Sequence, residues 1–190
     1  MHLTFKIHVP DNLVIDDEQK AGQGMAEAVR DCIRRHLIDK GLHTAPNRYG
    51  LPHTGYWHKA ANTVKVESQR GLRAVVSAGA ESEDPNAPGQ GISIHYEGGT
   101  VYPKKKALAI PISPVVAGIW PSEADALANE DEYSMFWPKN SSHGFIKDNE
   151  RGELMWLLIP KATIKADPTV MPTDDQLQDA MMSGIWGAIG

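Results

Sequence analysis

The eight histidines and the many carboxylates of this sequence are the residues best able to bind a metal ion or to transfer protons. Two histidines four residues apart share one face of a helix and can bind zinc, whereas His53 and His58 are five residues apart. The carboxylates of Asp16, Asp17 and Glu18 lie where the first turn of a helix favours negative charge. The other histidines considered are isolated along the chain: His36, His43, His95 and His143. We therefore expect neither a metal site nor a catalytic residue from this pattern.

Two glycine-rich segments, 22–24 and 89–99, have the composition of phosphate-binding loops but not their spacing. A dinucleotide site needs G-x-G-x-x-G between a strand and a helix, and the Walker loop needs G-x-x-x-x-G-K-[ST]. Neither motif occurs in the chain, and the G-x-S-x-G elbow of a serine nucleophile is also absent. Cys32 lies on the apolar face of a predicted helix, where an inert thiol is expected. We therefore expect no cofactor.

The run Lys104, Lys105 and Lys106 is the clearest basic cluster in the sequence. Two interpretations are open: a solvated turn before a strand, or a contact with an acidic partner subunit or a passing polyanion. Three lysines alone contribute little affinity for phosphates. The formal net charge of −5 and the pI of about 5.9 argue against a protein whose main task is to grip duplex DNA.

The tryptophans raise a similar question about core and interface. A tryptophan is more often part of a core, but five of them exceed what one small core is expected to hide. They are Trp57, Trp120, Trp137, Trp156 and Trp186.

Hydrophobic periodicity predicts the elements that must position these residues. The segment HLTFKIHV, residues 2–9, alternates apolar and polar side chains, as a half-buried strand does. From about Asp17 to Leu42 the period becomes helical. The residues on the apolar face of that helix are Met25, Val29, Cys32, Ile33 and Leu37. VKVES (64–68) and LRAVVSA (72–78) flank a short turn and predict a hairpin.

The second half of the chain predicts more strands and a final helix. ALAIPI (107–112) predicts a strand that Pro111 places at a sheet edge, and SMFWP, GFIKD and ELMWLLIPKATIKA predict further strands. The C-terminal segment predicts a helix near 173–188 that Thr173 caps. A flexible loop is expected near 79–91, where turn residues replace apolar ones.

These elements predict one α+β domain over residues 1–190. We expect a mostly antiparallel sheet packed against a long N-terminal helix and a C-terminal helix. Hydrophobic residues make up 41% of the chain, which is enough for a core. A single cysteine excludes an intramolecular disulfide, and neither a signal peptide nor a transmembrane segment is expected. The expected class is a soluble protein of a reducing compartment.

The order of two segments suggests a family. PNRYGLPHTGYWHKAANTVKVES followed by HYEGGTVYPKKKALAIPIS resembles the Mu-like phage virion morphogenesis family, whose members act in tail completion or at the head-tail neck. The family pattern contains a Y-G-G-T-[IV]-x-P-x-x-x-x-x-L-x-I-P box, from which this sequence departs by an inserted Glu97. The resemblance covers about residues 1–165. The matching positions are Tyr96, Gly98, Gly99, Thr100, Val101, Pro103, Leu108, Ile110 and Pro111.

The resemblance implies a non-enzymatic virion structural protein that forms a ring, expected to be a hexamer, at the neck or tail terminus. Such a ring encloses the DNA channel and joins tail to head, so the implied partners are further copies and neck, connector or tail-tube proteins. DNA would pass through only as cargo, and assembly would occur in the host cytoplasm, with no membrane involved. Gly98 and Gly99 are expected to turn the chain, with Gly99 at positive φ. The implied assembly or subunit-interface residues are Tyr96, Gly98, Gly99, Lys104, Lys105, Lys106 and Trp57.

Two other classes of function remain open on the residues alone. One is a small cytoplasmic hydrolase built on histidine and carboxylate side chains, which would need a pocket where such groups converge. The other is a prophage-encoded interaction protein, which would be absent from purified particles.

Overall fold

The fold is taken from a computed structural model that describes residues 3–9, 15–51, 55–79, 91–104, 106–124, 126 and 129–190. The flexible loop predicted near 79–91 therefore lies outside the described residues, apart from Gly79 and Gly91. The chain divides into two units. The first unit is formed by residues 1–43, 55–98 and 165–190, and the second unit by residues 44–54 and 99–164. The expectation of a single domain stays a prediction.

In the part of it that the structure describes, the first unit combines a three-stranded sheet with four helices, numbered in chain order. The sheet has the order β1-β3-β2, and both strand pairs are antiparallel. Its strands are β1 (Leu3–His8), β2 (Lys65–Arg70) and β3 (Arg73–Ala78). The helices are α1 (Glu18–His43), α2 (Tyr56–Asn62), α3 (Ile92–Glu97) and α4 (Asp174–Ile189). A 3-10 turn at Pro168–Val170 precedes α4.

The two long helices confirm the sequence prediction. The predicted apolar stripe of α1 is buried, with Met25, Val29, Ile33 and Leu37 all at most 1% exposed. Cys32 lies beside that stripe and is only partly buried. Helix α4 begins with a capping box, in which the Thr173 hydroxyl accepts from the backbone N–H of Gln176 and the Gln176 side chain accepts from the backbone N–H of Thr173. The long N-terminal helix, the C-terminal helix and the antiparallel sheets establish the α+β class.

The second unit contains two antiparallel sheets. The larger has the order β5-β8-β7-β6 and the smaller pairs β4 with β9. The strands are β4 (Gly99–Val101), β5 (Leu108–Pro111), β6 (Tyr133–Phe136), β7 (Gly144–Asp148), β8 (Leu154–Ile159) and β9 (Ala162–Ile164). Strand β5 lies at a sheet edge, as Pro111 predicted, because proline cannot donate to a second neighbouring strand.

The two faces of the larger sheet differ in their covering. One face carries the core of the unit, in which Ile146 and Trp156 are fully buried and the Trp156 indole N–H donates to the carbonyl of Ile119 at 3.1 Å. Because side chains alternate along a strand, Leu157 lies on the opposite face. The strand register aligns Leu157 with Ile110 on β5 and with Phe145 on β7.

Two local features differ from what the sequence suggests. Helix α2 begins without a side-chain cap, because Gly55 occupies its N-cap position with φ of 70°. Helix α3 was not predicted, because six residues are too few for a periodic pattern to emerge. Gly91 and Gly98 flank this helix, both at positive φ.

Candidate assembly surfaces

The predicted interface residue Trp57 belongs to the core of the first unit. Its side chain is 7% exposed, and it packs with α1 residues such as Ile33 and Leu37. Its ring also contacts Tyr56 and His95, with centroids 5.1 and 5.2 Å away. Burial on the inner face of α2 explains this placement, and Trp57 therefore presents no free surface to a partner.

The glycine pair turns the chain at Gly98 rather than at Gly99. Gly98 ends α3 with φ of 77°, and a Cβ at this position would lie 2.7 Å from the backbone nitrogen of Ala166. Gly99 is instead the first residue of strand β4, where it pairs with Ile164. The expectation of positive φ at Gly99 is therefore wrong, because the left-handed residue is the one that terminates the unpredicted helix α3.

The remaining predicted interface residues are exposed where the structure describes them. Tyr96 is 39% exposed at the end of α3 in the first unit. Lys104 and Lys106 are exposed in the second unit, between β4 and β5, and Lys105 lies outside the described residues. The two strands that flank this turn belong to different sheets, since β4 pairs with β9 and β5 pairs with β8.

A polar cluster in the first unit brings a carboxylate and a histidine close together among the described residues. The Lys40 ammonium donates to Asp167 Oδ2 at 2.6 Å and to Thr169 Oγ1 at 2.7 Å. The Thr169 hydroxyl and backbone N–H both donate to Asp167 Oδ1. These hydrogen bonds, led by that of Lys40, lower the pKa of Asp167 to about 2. The carboxylate is thereby held as a stable anion.

The imidazole next to this cluster is in apolar surroundings. His95 lies 5.0 Å from the Tyr56 ring and 5.2 Å from the Trp57 ring, measured between centroids. Burial lowers the pKa of His95, an effect that the charge of Asp167 partly opposes. The backbone carbonyl of His95 accepts from the N–H of Asp167 at 2.9 Å. The cluster thus connects α1 and α3 to the segment before α4.

Exposed apolar side chains are concentrated in the second unit. In the described part of the chain, eleven large apolar side chains are exposed, and eight of them lie in this unit. They are Tyr102, Val115, Ile119, Trp120, Met135, Phe136, Trp137 and Leu154. The sequence analysis singled out two of these, Trp120 and Trp137, only as members of the tryptophan set.

The five tryptophans divide between core and surface. Trp57 and Trp156 are buried, whereas Trp120, Trp137 and Trp186 are 53%, 44% and 53% exposed. The ring of Trp137 lies over Gly144 on strand β7, where an added Cβ would come within 2.5 Å of it. The indole is thus held in one place while much of its surface faces solvent.

Comparisons with protein-family models, with curated proteins and with solved structures found no match to this chain. Within the described ranges, histidine, cysteine and carboxylate side chains form no group of three that could bind a metal ion. A search of the same residues found no helix with the length and hydropathy needed to cross a membrane.

Proposed function

We propose that this chain is a non-enzymatic virion structural protein that assembles into a ring at the head-tail neck or tail terminus. The observation that carries the proposal is the set of eight exposed large apolar side chains on the second unit. Contiguous apolar surface marks protein interaction sites, and three of the eight side chains, Met135, Phe136 and Trp137, are consecutive in the chain. The resemblance of residues 1–165 to the Mu-like phage virion morphogenesis family supports the choice of a virion ring among possible assemblies.

Energetic considerations favour aromatic side chains as the anchors of such a contact. Full burial of an aromatic side chain removes about 150–250 Å² of its surface from water. Each Å² of apolar surface buried contributes about 25 cal/mol of favourable free energy. Trp120 and Trp137 are each close to half exposed, so each has about 2 kcal/mol still to gain from a partner surface. Tryptophan is also among the residues that dominate measured interface energies.

The net charge is compatible with a DNA conduit. At −5, the chain has no overall attraction for phosphates that would hold DNA in a channel. DNA would therefore pass through the ring as cargo. The partners would be further copies of the chain and the neck, connector or tail-tube proteins next to the ring.

The polar cluster of the first unit supports a structural role over a hydrolytic one. A general base needs a pKa near the working pH, whereas Asp167 has its pKa lowered to about 2. Replacing Lys40 with methionine should accordingly lower the free energy of unfolding. Neither the wild type nor the variant should show hydrolytic activity.

The oligomeric state of the purified chain and the content of particles test the proposal together. We expect a closed ring in sedimentation and native mass spectrometry, and the chain in purified particles. Replacing Trp120 and Trp137 with alanine should weaken ring formation at least tenfold. Replacing the exposed polar residues Lys139 and Glu150 with alanine serves as the matched control. Isolated monomers in solution together with particles that lack a ring of this chain would contradict the proposal.

A further inference from the structure

A groove in the second unit combines an apolar floor with a basic edge. It encloses about 680 Å³ and lies on the face of the larger sheet opposite the core. Its floor is formed by Ile110, Phe145, Leu157 and Ile159. This volume exceeds the space needed for one large aromatic side chain, and the floor offers that side chain mostly carbon atoms.

The rim of the groove carries positive charge. Arg48 and Lys161 lie on it together with His143, and none of the described lining residues is a carboxylate. The Arg48 guanidinium stacks 4.8 Å above the Tyr49 ring centre and donates to the Tyr49 hydroxyl at 2.7 Å. An apolar ligand with negative charges beside it would therefore fit this groove.

The rim segment is held in place by its own hydrogen bonds. The Asn47 side-chain oxygen accepts from the backbone N–H groups of Tyr49 and Leu51, at 2.9 and 3.1 Å. The Asn47 N–H donates to the Leu51 carbonyl at 2.9 Å, and the Leu51 side chain is only 3% exposed. Because the turn is already ordered, a ligand that binds here does not have to order it.

The outer face of α4 has the complementary chemistry. Asp175, Asp179 and Trp186 are exposed at helical spacing, while Ile185 is buried. Trp186 is 53% exposed, and the helix contains no basic residue. Trp186 follows Asp179 by seven positions, so the two residues lie about 10 Å apart along the helix axis.

We propose that the groove of one copy of this chain receives the outer face of α4 from another copy. Trp186 would occupy the apolar floor, and Asp175 and Asp179 would face Arg48 and Lys161. The contact joins two different surfaces, so it is heterologous and can repeat from copy to copy until a ring closes. This inference rests on the proposed function, since it names the surfaces that would build the ring.

Charge reversal tests the pairing. The groove variant carries Arg48→Glu and Lys161→Glu, and the helix variant carries Asp175→Lys and Asp179→Lys. We expect each variant alone to lose self-association at least tenfold in sedimentation, with an unchanged circular dichroism spectrum. Trp186→Ala should have a similar effect. The control, Lys20→Glu with Lys59→Glu, changes the net charge as the groove variant does but alters exposed lysines of α1 and α2.

Mixing the variants provides a readout that general damage to the fold would not produce. The groove variant keeps an intact α4, the helix variant keeps an intact groove, and the reversed groove complements the reversed helix, so an equimolar mixture should form assemblies in which the two variants alternate. A chain with all four reversals should regain self-association, because the charges are complementary again.

The outcomes separate this inference from the proposed function. If the wild-type chain forms rings and the reversal variants form them equally well, the pairing is wrong and the ring proposal stands. If the groove variant loses assembly but the helix variant does not, the groove binds something other than α4. That result also overturns the pairing. A wild-type chain that stays monomeric at every concentration overturns the pairing, and it counts against the ring only if particles lack one too.

Discussion

Gly24 on α1 and Gly184 on α4 bring the backbones of the two long helices into direct contact. A Cβ on Gly24 would lie 2.4 Å from the carbonyl oxygen of Gly184, and a Cβ on Gly184 would lie 2.3 Å from the carbonyl oxygen of Gly24. These distances are too short for any side chain, so even one methyl group would force the helices apart.

Gly184→Ala should therefore destabilise the protein, despite the higher helix propensity of alanine. We expect overpacking to cost about 1–3 kcal/mol, against a propensity gain of about 1 kcal/mol. The matched control is Gly187→Ala on the same helix, where nothing lies within 4 Å of an added Cβ. That variant should be neutral or more stable by up to about 1 kcal/mol. Urea denaturation of both variants measures the difference, and equal free energies of unfolding would contradict the close contact.

The second prediction compares the effects on stability of valine at two neighbouring positions, Gly98 and Gly99. Gly98→Val should lower the free energy of unfolding by about 1–3 kcal/mol, because a β-branched residue is strained at φ of 77° and would collide with Ala166. Gly99→Val should cost less, since valine suits the strand that begins at Gly99. Thermal unfolding of the two variants checks the order, and a larger loss for Gly99→Val would refute it.

The ion pair between Lys40 and Asp167 makes stability depend on pH in the acid range. The pKa of Asp167 falls from 3.8 to about 2 on folding, so its contribution is fully present above about pH 4. The contribution decreases as the pH falls from about 4 to 2 and is lost below about pH 2, where the carboxylate is protonated in both states. The Asp167 side chain is 41% exposed, so we expect screening to limit the effect to about 1 kcal/mol or less.

Asp167→Asn measures this contribution. The variant should be less stable than the wild type at pH 6, and most of the gap should close by about pH 2 in chemical denaturation. Glu150→Gln, on an exposed turn, is the control. A gap between Asp167→Asn and the wild type that stays constant down to pH 2 would show that the loss comes from packing rather than charge.

Replacing the three lysines of the turn at 104–106 distinguishes a role in assembly from a role in DNA binding. If Lys104, Lys105 and Lys106 bind DNA, replacing all three with alanine should remove about three phosphate contacts. The slope of log affinity against log salt concentration should then become shallower by roughly 2 to 3. We expect instead weak DNA binding by the wild type and a lower yield of particles for the variant. That defect should be milder at low pH, where partner carboxylates are neutral. Tight, steeply salt-dependent binding of duplex DNA would overturn this expectation.

The sequence was informative wherever structure depends on neighbours along the chain. The helical stripe of α1, the capping box at Thr173 and the edge position of Pro111 all follow from local spacing or backbone chemistry. The contact between Gly24 and Gly184 could not be predicted in this way, because it joins positions far apart in the sequence and carries no side-chain pattern.

The candidate surfaces were less predictable for the same reason. The groove brings together Arg48, Phe145 and Lys161, which no sequence window contains. The tryptophan count indicated that some rings would be exposed, but not which ones. Trp156 is buried because it lies on the core face of a strand, whereas Trp137 comes just after the end of another. Trp57, which the resemblance implied as an interface residue, is buried because it lies on the inner face of α2, and composition does not distinguish a core ring from a surface ring.

The dependence of α1 on α4 has a consequence for synthesis on the ribosome. Helix α1 ends at His43 and α4 begins at Asp174, so 130 residues are added between them. At about 5–20 residues per second, the ribosome takes roughly 6–26 seconds to make that stretch. During this interval Met25 lacks Ile185, one of the side chains with which it forms a buried cluster in the finished protein. A nascent chain therefore exposes apolar surface until its last helix emerges. A chain truncated before α4 would be a target for chaperones and proteases.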